Sequence, residues 1–246
     1  MKILLTIIFL LCCKVCVAAN VIGSGAGTQY PPPNVLMSSC VGYWKFDEGV
    51  GSSTADLSGF GATGTLTGCT WGTSTNAGSL YFDGVDDYTN IGNQSQHNIG
   101  TGSFSVLFWV TFLKQDGVSR RIVEKYQPGA SGWSAQNTTG SNNIRVYLTA
   151  SKSVVLITGA ATGTAYHAGF TLSRDTNNGT LSGFLNGLKS GTTANIGTDT
   201  FTTSNNLMFG ANNAVNVFGN YIIDNVRIYN RAFSDAEVQT LYYLKQ

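Results

Sequence analysis

The stretch IIDNVRIYNRAFSDAEVQTLY, residues 222–242, decides the fold. Its first half is apolar and β-branched, which predicts a strand. Its second half begins with Ser234-Asp235-Ala236-Glu237, the spacing of a capping box. In that motif Ser234 accepts the backbone amide of Glu237, whose carboxylate accepts the amide of Ser234. Apolar residues follow at helical spacing, so a strand leading into a helix of one or two turns is expected at the C-terminal end.

A second segment, Phe104 to Leu113 (FSVLFWVTFL), is apolar on both of its alternating faces. Phe104 and Phe108 lie on one face, and Trp109 lies on the other. A strand that is apolar on both faces is typical of the middle of a sheet that is covered on both sides.

Shorter strand-like segments recur along the chain, and Gly- or Asn-bearing turns such as Asn186-Gly187 separate most of them. Strands are predicted at Val41–Asp47, Ser79–Tyr88, Arg121–Tyr126, Ile144–Thr149, Ser153–Thr158, Ala165–Leu172, Leu181–Leu185 and Leu207–Gly210. With about a dozen strands and no helical stretch between them, the sequence indicates an all-β fold of two antiparallel sheets.

Composition excludes several classes of protein. The 246 residues include 14 Lys+Arg and 13 Asp+Glu, so charged residues make up 11% of the chain, against roughly 25% in an ordinary domain. No basic stripe exists that would neutralise nucleic-acid phosphates. The hydrophobic fraction of 42% argues against wholesale disorder.

The N-terminal residues predict export. Lys2 precedes an apolar run from Ile3 to Cys13, and Val17-Ala18-Ala19 supplies small residues for cleavage. We predict a signal peptide over residues 1–19 that is cleaved after Ala19, and a secreted or cell-surface protein. An uncleaved membrane anchor is the alternative, but the apolar run is shorter than the roughly 20 residues that a spanning helix needs.

Two further divisions follow from composition. Residues 20–39 are rich in Gly and Ser and contain Pro31-Pro32-Pro33, which predicts a flexible, extended linker. The folded domain is predicted over residues 40–246. After removal of the signal, the remaining cysteines are Cys40 and Cys69, and in an exported chain they predict one disulfide. Two free, buried thiols are the alternative.

Five blocks resemble the laminin-G-like, concanavalin-A-like lectin/glucanase family, in the order in which that family has them. They are VGYWKFDEGVGSSTADLSG (41–59), SLYFDGVDDY (79–88), SFSVLFWV (103–110), GFLNGLKSGT (183–192) and the closing block 222–242. The resemblance implies a jelly-roll β-sandwich of two curved sheets with one short C-terminal helix. It also implies that the first and last strands pair side by side. Members include glycan-binding modules, adhesion domains and appendages of enzymes, and relatives on this scaffold are glucanases, so the fold leaves the function open.

Acid-base catalysis is not expected. A retaining glycosidase needs two carboxyl groups about 5 Å apart, and glucanases on this scaffold carry two glutamates flanking an aspartate on one strand. The three glutamates, Glu48, Glu124 and Glu237, are scattered, and Glu124 is interpreted as a surface ion pair with Lys125. The histidines His97 and His167 are interpreted as surface or structural residues. We therefore predict no catalytic residues and no enzyme activity.

Calcium is the ion that the sequence favours, because it takes several hard oxygen ligands. Pairing of the first and last strands would bring Asp47 and Glu48 toward Asp224, with Asp56 in the following loop. We predict a structural calcium site from Asp56 and Asp224 with Asp47. The alternative is that these acids form Asx-turns and surface hydrogen bonds.

A second and weaker candidate for metal binding is the turn Asp83-Gly84-Val85-Asp86-Asp87. Capping of backbone amides is the favoured interpretation of Asp83.

Sugar sites place aromatic rings against the apolar face of a pyranose, with amides and carboxylates near its hydroxyls. Candidate ligand-binding residues are therefore aromatic and amide side chains in polar loops, namely Trp133, Tyr126, Gln136 and Trp71. The pairs Tyr166-His167 and Asn212-Asn213 are further loop-edge candidates. Core packing is the alternative for each tryptophan, and it is the interpretation of Trp44 and Trp109.

These observations predict a secreted, non-catalytic carbohydrate-binding module that recognises a glycan or a glycosylated surface. The alternative is a structural or adhesive surface domain that contacts proteins and has no sugar site. Exposed rings at Trp133 and Trp71 would favour the first function, and buried rings would favour the second.

Overall fold

The computed structural model describes residues 36–74, 77–114, 117–128, 131–138, 143–148, 152–174, 178–194 and 196–244. In this part of the chain, two eight-stranded antiparallel sheets and one C-terminal helix form a sandwich. The predicted fold class, an all-β jelly-roll sandwich, is confirmed.

The strands are numbered in chain order. They are β1 (Cys40–Trp44), β2 (Ser53–Thr54), β3 (Gly64–Thr67), β4 (Thr70–Ser74), β5 (Ala77–Asp83), β6 (Tyr88–Gly92), β7 (Phe104–Phe112), β8 (Arg120–Tyr126), β9 (Gly132–Asn137), β10 (Ile144–Leu148), β11 (Lys152–Ile157), β12 (Ala165–Ser173), β13 (Thr180–Leu185), β14 (Leu188–Ala194), β15 (Leu207–Phe209) and β16 (Asn220–Tyr229). A 3-10 helix covers Ser95–His97, and helix α1 covers Asp235–Leu244.

The first sheet has the order β14-β13-β12-β7-β16-β5-β4, with β1 also paired to β16. The second sheet has the order β11-β10-β9-β8-β15-β6-β3-β2. The first and last strands of the domain pair antiparallel, with Cys40 opposite Tyr229 and Trp44 opposite Val226. The predicted pairing of the two chain ends is therefore confirmed, and it places β7, the doubly apolar strand, beside β16 in the interior of the first sheet.

The main core lies between the two sheets. Trp44, Phe104, Phe108 and Phe170 are all fully buried there. A second apolar cluster lies on the outer side of the first sheet, where helix α1 covers it. The helix begins with the predicted capping box: the Ser234 amide donates to Glu237 Oε2 over 2.8 Å, and the Glu237 amide donates to Ser234 Oγ over 3.4 Å.

The domain begins earlier than predicted. Leu36, which the sequence assigned to the linker, is 1% exposed and belongs to the cluster under the helix. Residues 36–39 are thus part of the fold, because an apolar side chain in that segment is buried. The signal peptide and the remainder of the linker lie outside the described residues. Within the described residues, none of the helices has the length and apolarity that crossing a bilayer requires.

The predicted disulfide is wrong in this structure, since Cys40 and Cys69 are both free thiols. Cys40 lies under the helix and donates to the carbonyl of Gly42 over 3.4 Å. Cys69 follows β3 and donates to the carbonyl of Tyr88 over 3.1 Å. Burial raises the pKa of each thiol to about 11, so both are unreactive at neutral pH.

We expect a reducing agent to leave the melting temperature of a protein produced from residue 20 onward unchanged, because neither Cys40 nor Cys69 is part of a cross-link. Thiol titration after denaturation, without reductant, is expected to find both Cys40 and Cys69 reactive. A loss of stability of several degrees on reduction would show that a bridge forms.

Candidate ligand-binding site

The second sheet presents a row of polar and aromatic side chains on the surface that faces away from the core. Because side chains alternate along a strand, Val123 points into the core while Glu124 and Tyr126 point outward. Ser134 on β9 stands opposite Glu124, and Tyr147 on β10 stands opposite Ser134. We call this surface of β8, β9 and β10 the outer face.

A chain of hydrogen bonds fixes the polar groups of the outer face. Arg121 Nε donates to Glu124 Oε2 over 2.6 Å, and the backbone N–H of Asn213 donates to Glu124 Oε1 over 3.1 Å. Gln136 Nε2 donates to Ser119 Oγ over 3.2 Å, and Ser119 also accepts from Arg121 Nη1 over 3.5 Å. The carboxylate of Glu124 is therefore held by two groups, Arg121 of its own strand and the backbone N–H of Asn213.

Burial also controls the protonation of Glu124. This residue is 3% exposed, and the loss of solvent raises its pKa. Arg121 and the amide of Asn213 act in the opposite direction. Glu124 is thus a buried carboxylate in which each oxygen accepts one hydrogen bond from the protein, and it lines a cavity.

That cavity has a volume of about 220 Å³ and lies where β8 meets the segment 205–214. Its walls are an aromatic ring, a proline, a carboxylate and three side-chain amides. The lining residues are Glu124, Tyr126, Pro128, Asn205, Asn212, Asn213 and Ala214. Apolar ring faces beside hydroxyl-binding groups are the combination that a sugar requires.

The amides of the pocket are held by the backbone around them. Asn213 Oδ1 accepts the Asn206 amide over 2.8 Å, and its Nδ2 donates to the Asn206 carbonyl over 2.9 Å. Asn205 Nδ2 donates to the Tyr126 carbonyl over 2.7 Å. Asn212 Oδ1 accepts the amide of Val217 over 3.2 Å. The pocket is consequently preformed, which lowers the entropic cost of binding.

Lys125 lies behind the pocket and forms no surface pair with Glu124, so that interpretation is wrong. The two residues are neighbours in one strand and point to opposite sides of the sheet. Lys125 is fully buried, and its Nζ donates to Asn93 Oδ1 over 2.8 Å and to the Asn205 carbonyl over 2.9 Å. Burial lowers the pKa of Lys125 to about 8.

The four residues predicted to bind a sugar lie in different parts of the structure. Tyr126 lines the pocket. Gln136 is 8% exposed and lies on the outer face opposite Arg121, and it is not among the residues that line the pocket. Trp71 is partly exposed on β4 of the first sheet, where its indole N–H donates to the Gly51 carbonyl over 2.9 Å. Asn212 and Asn213, the loop-edge amides, belong to the pocket.

The prediction that Trp133 stacks on a sugar is wrong, because its side chain is not exposed to solvent. It is 0% exposed and points from β9 into the core, on the opposite side of the strand from Ser134. Its ring lies 6.0 Å from that of Phe104 and 5.8 Å from that of Phe170. In the sequence GASGWSAQN, Ser134 and Gln136 point outward while Trp133 and Ala135 point into the core. Because most residues of this segment are small or polar, its sequence did not indicate a strand with an apolar inner face.

Both histidines are buried, which the polar residues around them in the sequence did not indicate. His97 packs 5.6 Å from the ring of Trp44, and its Nε2 lies 3.1 Å from the Val41 carbonyl. His167 is 1% exposed and lies between Trp109 and Tyr242, at ring distances of 5.2 and 5.9 Å. Their roles in this fold are in packing.

The three predicted calcium ligands do not gather at one point. Asp56 Oδ1 accepts the amides of Tyr43 and Ser58, each over 2.9 Å, and its Oδ2 accepts the amide of Ala62 over 3.0 Å. Burial acts to raise the pKa of Asp56, but the hydrogen bonds together outweigh it, so that the pKa is lowered. The bonds occupy the carboxylate in an Asx-turn and across its loop, which fits the alternative interpretation. The remaining two acids, Asp47 and Asp224, engage other partners.

Asp224 is mostly buried and accepts from Asn225 Nδ2 over 3.0 Å. Burial raises the pKa of Asp224 to about 6, and the charge of Asp47 adds to the shift. Asp47 pairs with Lys45 over 2.5 Å and accepts the Gly78 amide over 3.1 Å. Structural calcium at Asp56, Asp224 and Asp47 therefore stays a prediction, and the donor set seen here does not favour it.

In the described part of the chain, Asp83, Asp86 and Asp87 are the acidic group whose ligand atoms lie within 4.8 Å of one another. The Asp83 carboxylate accepts the Val85 amide over 2.8 Å, and Asp87 Oδ2 accepts the Asp83 amide over 2.7 Å. The bond to the Val85 amide confirms the turn-capping role expected of Asp83, and Asp87 caps the same turn.

A sequence profile described as the concanavalin A-like lectin/glucanases superfamily matches residues 82–239. The chain belongs to this superfamily. The match covers β7, the closing strand β16 and the first half of helix α1, the segments from which the fold was predicted. No curated protein matches the chain in sequence.

Solved structures with a similar fold include the binding domain of a mosquitocidal protein, a domain of an arabinanase and a sialidase. The binding domain of Paraclostridial Mosquitocidal Protein 1 has a TM-score of 0.66 at 16% identity over 84% of this chain, which spans 52% of that domain's length. Domain 4 of AbnA, an extracellular arabinanase from Geobacillus stearothermophilus in complex with arabinotriose, has a TM-score of 0.66 at 19% identity over 83% of this chain and 98% of that one.

Trypanosoma rangeli sialidase in complex with sialic acid has a TM-score of 0.65 at 18% identity, over 90% of this chain and 35% of the sialidase. At such identities these likenesses show a shared fold.

Proposed function

We propose that the chain is a non-catalytic carbohydrate-binding module and that its pocket holds one ring of a glycan. The observation that carries the proposal is the placement of the Tyr126 ring beside the Glu124 carboxylate and the amides of Asn205 and Asn212 in one preformed cavity. We also propose that the protein acts outside the cell, because its first 19 residues have the pattern of a signal peptide.

The geometry suits a sugar ring in two ways. Tyr126 offers an aromatic face with a polar tip, so it can stack on C–H groups while its hydroxyl meets solvent or sugar. Glu124 is an acceptor whose lone pairs exceed its two protein partners, and carboxylate acceptors form the stronger hydrogen bonds with hydroxyl donors. The volume of about 220 Å³ is below the roughly 300–1,000 Å³ of drug-sized sites and matches a single ring.

The absence of catalysis is part of the proposal. Glycoside hydrolysis normally needs a second carboxyl group across the scissile bond. Of the residues that line the pocket, Glu124 alone is acidic. A lone anchored carboxylate can orient a hydroxyl but has no partner to act as nucleophile or base.

We expect Tyr126→Ala to weaken glycan binding by roughly tenfold or more, since truncation removes the stacking surface of the pocket. The measurement is a glycan array that identifies ligands, followed by calorimetric titration of the best one. Tyr243→Ala is the matched control, because Tyr243 is a 60% exposed tyrosine on helix α1, outside the pocket. Equal affinity of wild type and Tyr126→Ala would reject the pocket as the sugar site.

A structural or adhesive domain that contacts proteins is the second candidate function. It is favoured by exposed apolar side chains in the segment between β1 and β3, where Val50, Leu57 and Phe60 are 78%, 53% and 57% exposed. If this function holds, the glycan array gives no ligand, and Leu57→Ser with Phe60→Ser abolishes adhesion to a protein-coated surface while the melting temperature is unchanged.

A further inference from the structure

We infer that the outer face carries an anion-binding subsite at Arg145, so that the glycan recognised by this protein is an acidic one that carries a carboxylate or sulfate. This inference rests on the proposed function, because it extends the pocket to a neighbouring position on the same surface. It concerns the class of ligand, which the pocket alone leaves open.

The register of the second sheet puts Arg145 within reach of a ligand in the pocket. Arg145 stands opposite Gln136, and Gln136 stands opposite Arg121, which binds Glu124. Tyr147 lies in the row of Ser134 and Glu124. Neighbouring strands lie about 4.8 Å apart, so β8 and β10 are separated by roughly 10 Å across the sheet. Along the strands, Arg145 is offset by two residues, about 7 Å, from the row of Glu124 and by four residues, about 13 Å, from the row of Tyr126. An oligosaccharide of a few rings covers that distance along the outer face.

Among the described residues, Arg145 has no acidic partner. Its described contacts are with Tyr147: the guanidinium carbon lies 5.7 Å from the ring centroid, and Nη1 donates weakly to the hydroxyl over 3.4 Å. Its Nε is buried and has no hydrogen-bond partner in the described part of the chain. Within that same part, no carboxylate lies at ion-pair distance from Arg145.

Arg121, which lies on the same outer face, differs from Arg145 because its charge is neutralised. Arg121 is neutralised by Glu124, whose Oε2 lies 2.6 Å from Arg121 Nε. Arg145 has the same fork of donors, which fits a carboxylate or sulfate with two parallel bonds. Because Nε is buried, an anion that arrives with the ligand would meet the Nη groups of Arg145, and two of their N–H groups can donate parallel bonds to it.

Tyr147 holds the guanidinium in place. Stacking of an arginine on an aromatic face orients the fork and reduces the conformational entropy lost on binding. Both side chains are partly exposed, in keeping with a surface subsite that solvent and ligand can reach. The proposed site therefore extends across the outer face, from Tyr126 on β8, past Gln136 on β9, to Arg145 and Tyr147 on β10.

The test uses pairs of oligosaccharides that differ by one acidic group, such as a sialylated glycan and its desialylated form, or a uronic-acid glycan and its carboxyl-reduced form. We expect wild type to bind the acidic member roughly tenfold to a hundredfold more tightly. Arg145→Gln is expected to remove this preference, so that the acidic member binds no more tightly than the neutral one. Added salt is expected to reduce the preference as well.

Lys189→Gln is the charge-matched control, because Lys189 lies on β14 of the first sheet and pairs with Asp235 of the helix. It should keep the preference. Equal affinity for both members, or a preference that survives in Arg145→Gln, overturns the subsite while the module remains glycan-binding. If neither member of any pair binds, the proposed function itself fails, and the subsite fails with it.

Discussion

Replacing Trp133 with alanine is expected to lower the free energy of unfolding by about 3–5 kcal/mol, the range measured for Phe/Trp→Ala changes in cores. The indole is 0% exposed and packs between the rings of Phe104 and Phe170. The cavity left behind would lie between the two sheets, where strand registry restricts collapse. Chemical denaturation followed by circular dichroism measures the change.

Trp71→Ala is the matched control, because this indole is partly exposed at the edge of the first sheet. Its removal should cost clearly less than that of Trp133. If Trp133→Ala folds with unchanged stability and selectively loses glycan binding, the assignment of this residue to the core is contradicted. Loss of binding that accompanies unfolding carries no information on the sugar site.

Acidification from pH 7 to pH 5 is expected to destabilise the fold through His97 and His167. Desolvation lowers the pKa of His167 to about 3, with help from the nearby charge of Arg227. Desolvation lowers that of His97 to about 4, where Lys125 lowers it further and Asp56 opposes. Both rings stay neutral in the fold over this interval, whereas an unfolded chain protonates them below about pH 6.5.

The sign follows from proton uptake. The unfolded state binds more protons, so the free energy of unfolding falls as pH drops below about 6.5 and stops falling near the folded pKa values. Each histidine contributes roughly 2 kcal/mol between pH 7 and pH 5. Asp224, with its pKa raised to about 6, gains a proton in the fold first and offsets about 1 kcal/mol.

Denaturation curves at pH 7 and pH 5 measure this dependence, and His167→Phe isolates one contribution. The variant keeps an aromatic ring between Trp109 and Tyr242 and should lose about half of the histidine-dependent slope. An identical pH dependence in wild type and His167→Phe would mean that His167 is solvated in the native protein.

Much of the fold was predictable because its signals are local. The alternation in Phe104–Leu113 marks a strand buried on both faces, and β7 indeed lies inside the first sheet. The Ser234–Glu237 spacing predicts a helix start, and the hydrogen bonds of the capping box are present. Strand β9 was missed since GASGWSAQN mixes turn residues with a single large apolar side chain.

The site was predictable only in part, because it joins segments that are distant in sequence. Tyr126 and the pair Asn212-Asn213 were singled out for residue type, yet their meeting at one pocket depends on how β8 and the segment after β15 lie in space. Glu124 was misread because the adjacent Lys125 suggested a surface pair. Its position two residues before Tyr126 on a strand was the signal that both share a face.

The most direct test of the account is a crystal structure of the protein with a glycan identified by the array. We expect a sugar ring stacked on Tyr126, with one of its hydroxyls within hydrogen-bonding distance of the Glu124 carboxylate. We expect the acidic group of the same ligand to lie on Arg145. A glycan bound elsewhere, such as on the loop that exposes Leu57 and Phe60, with this pocket empty, would contradict it.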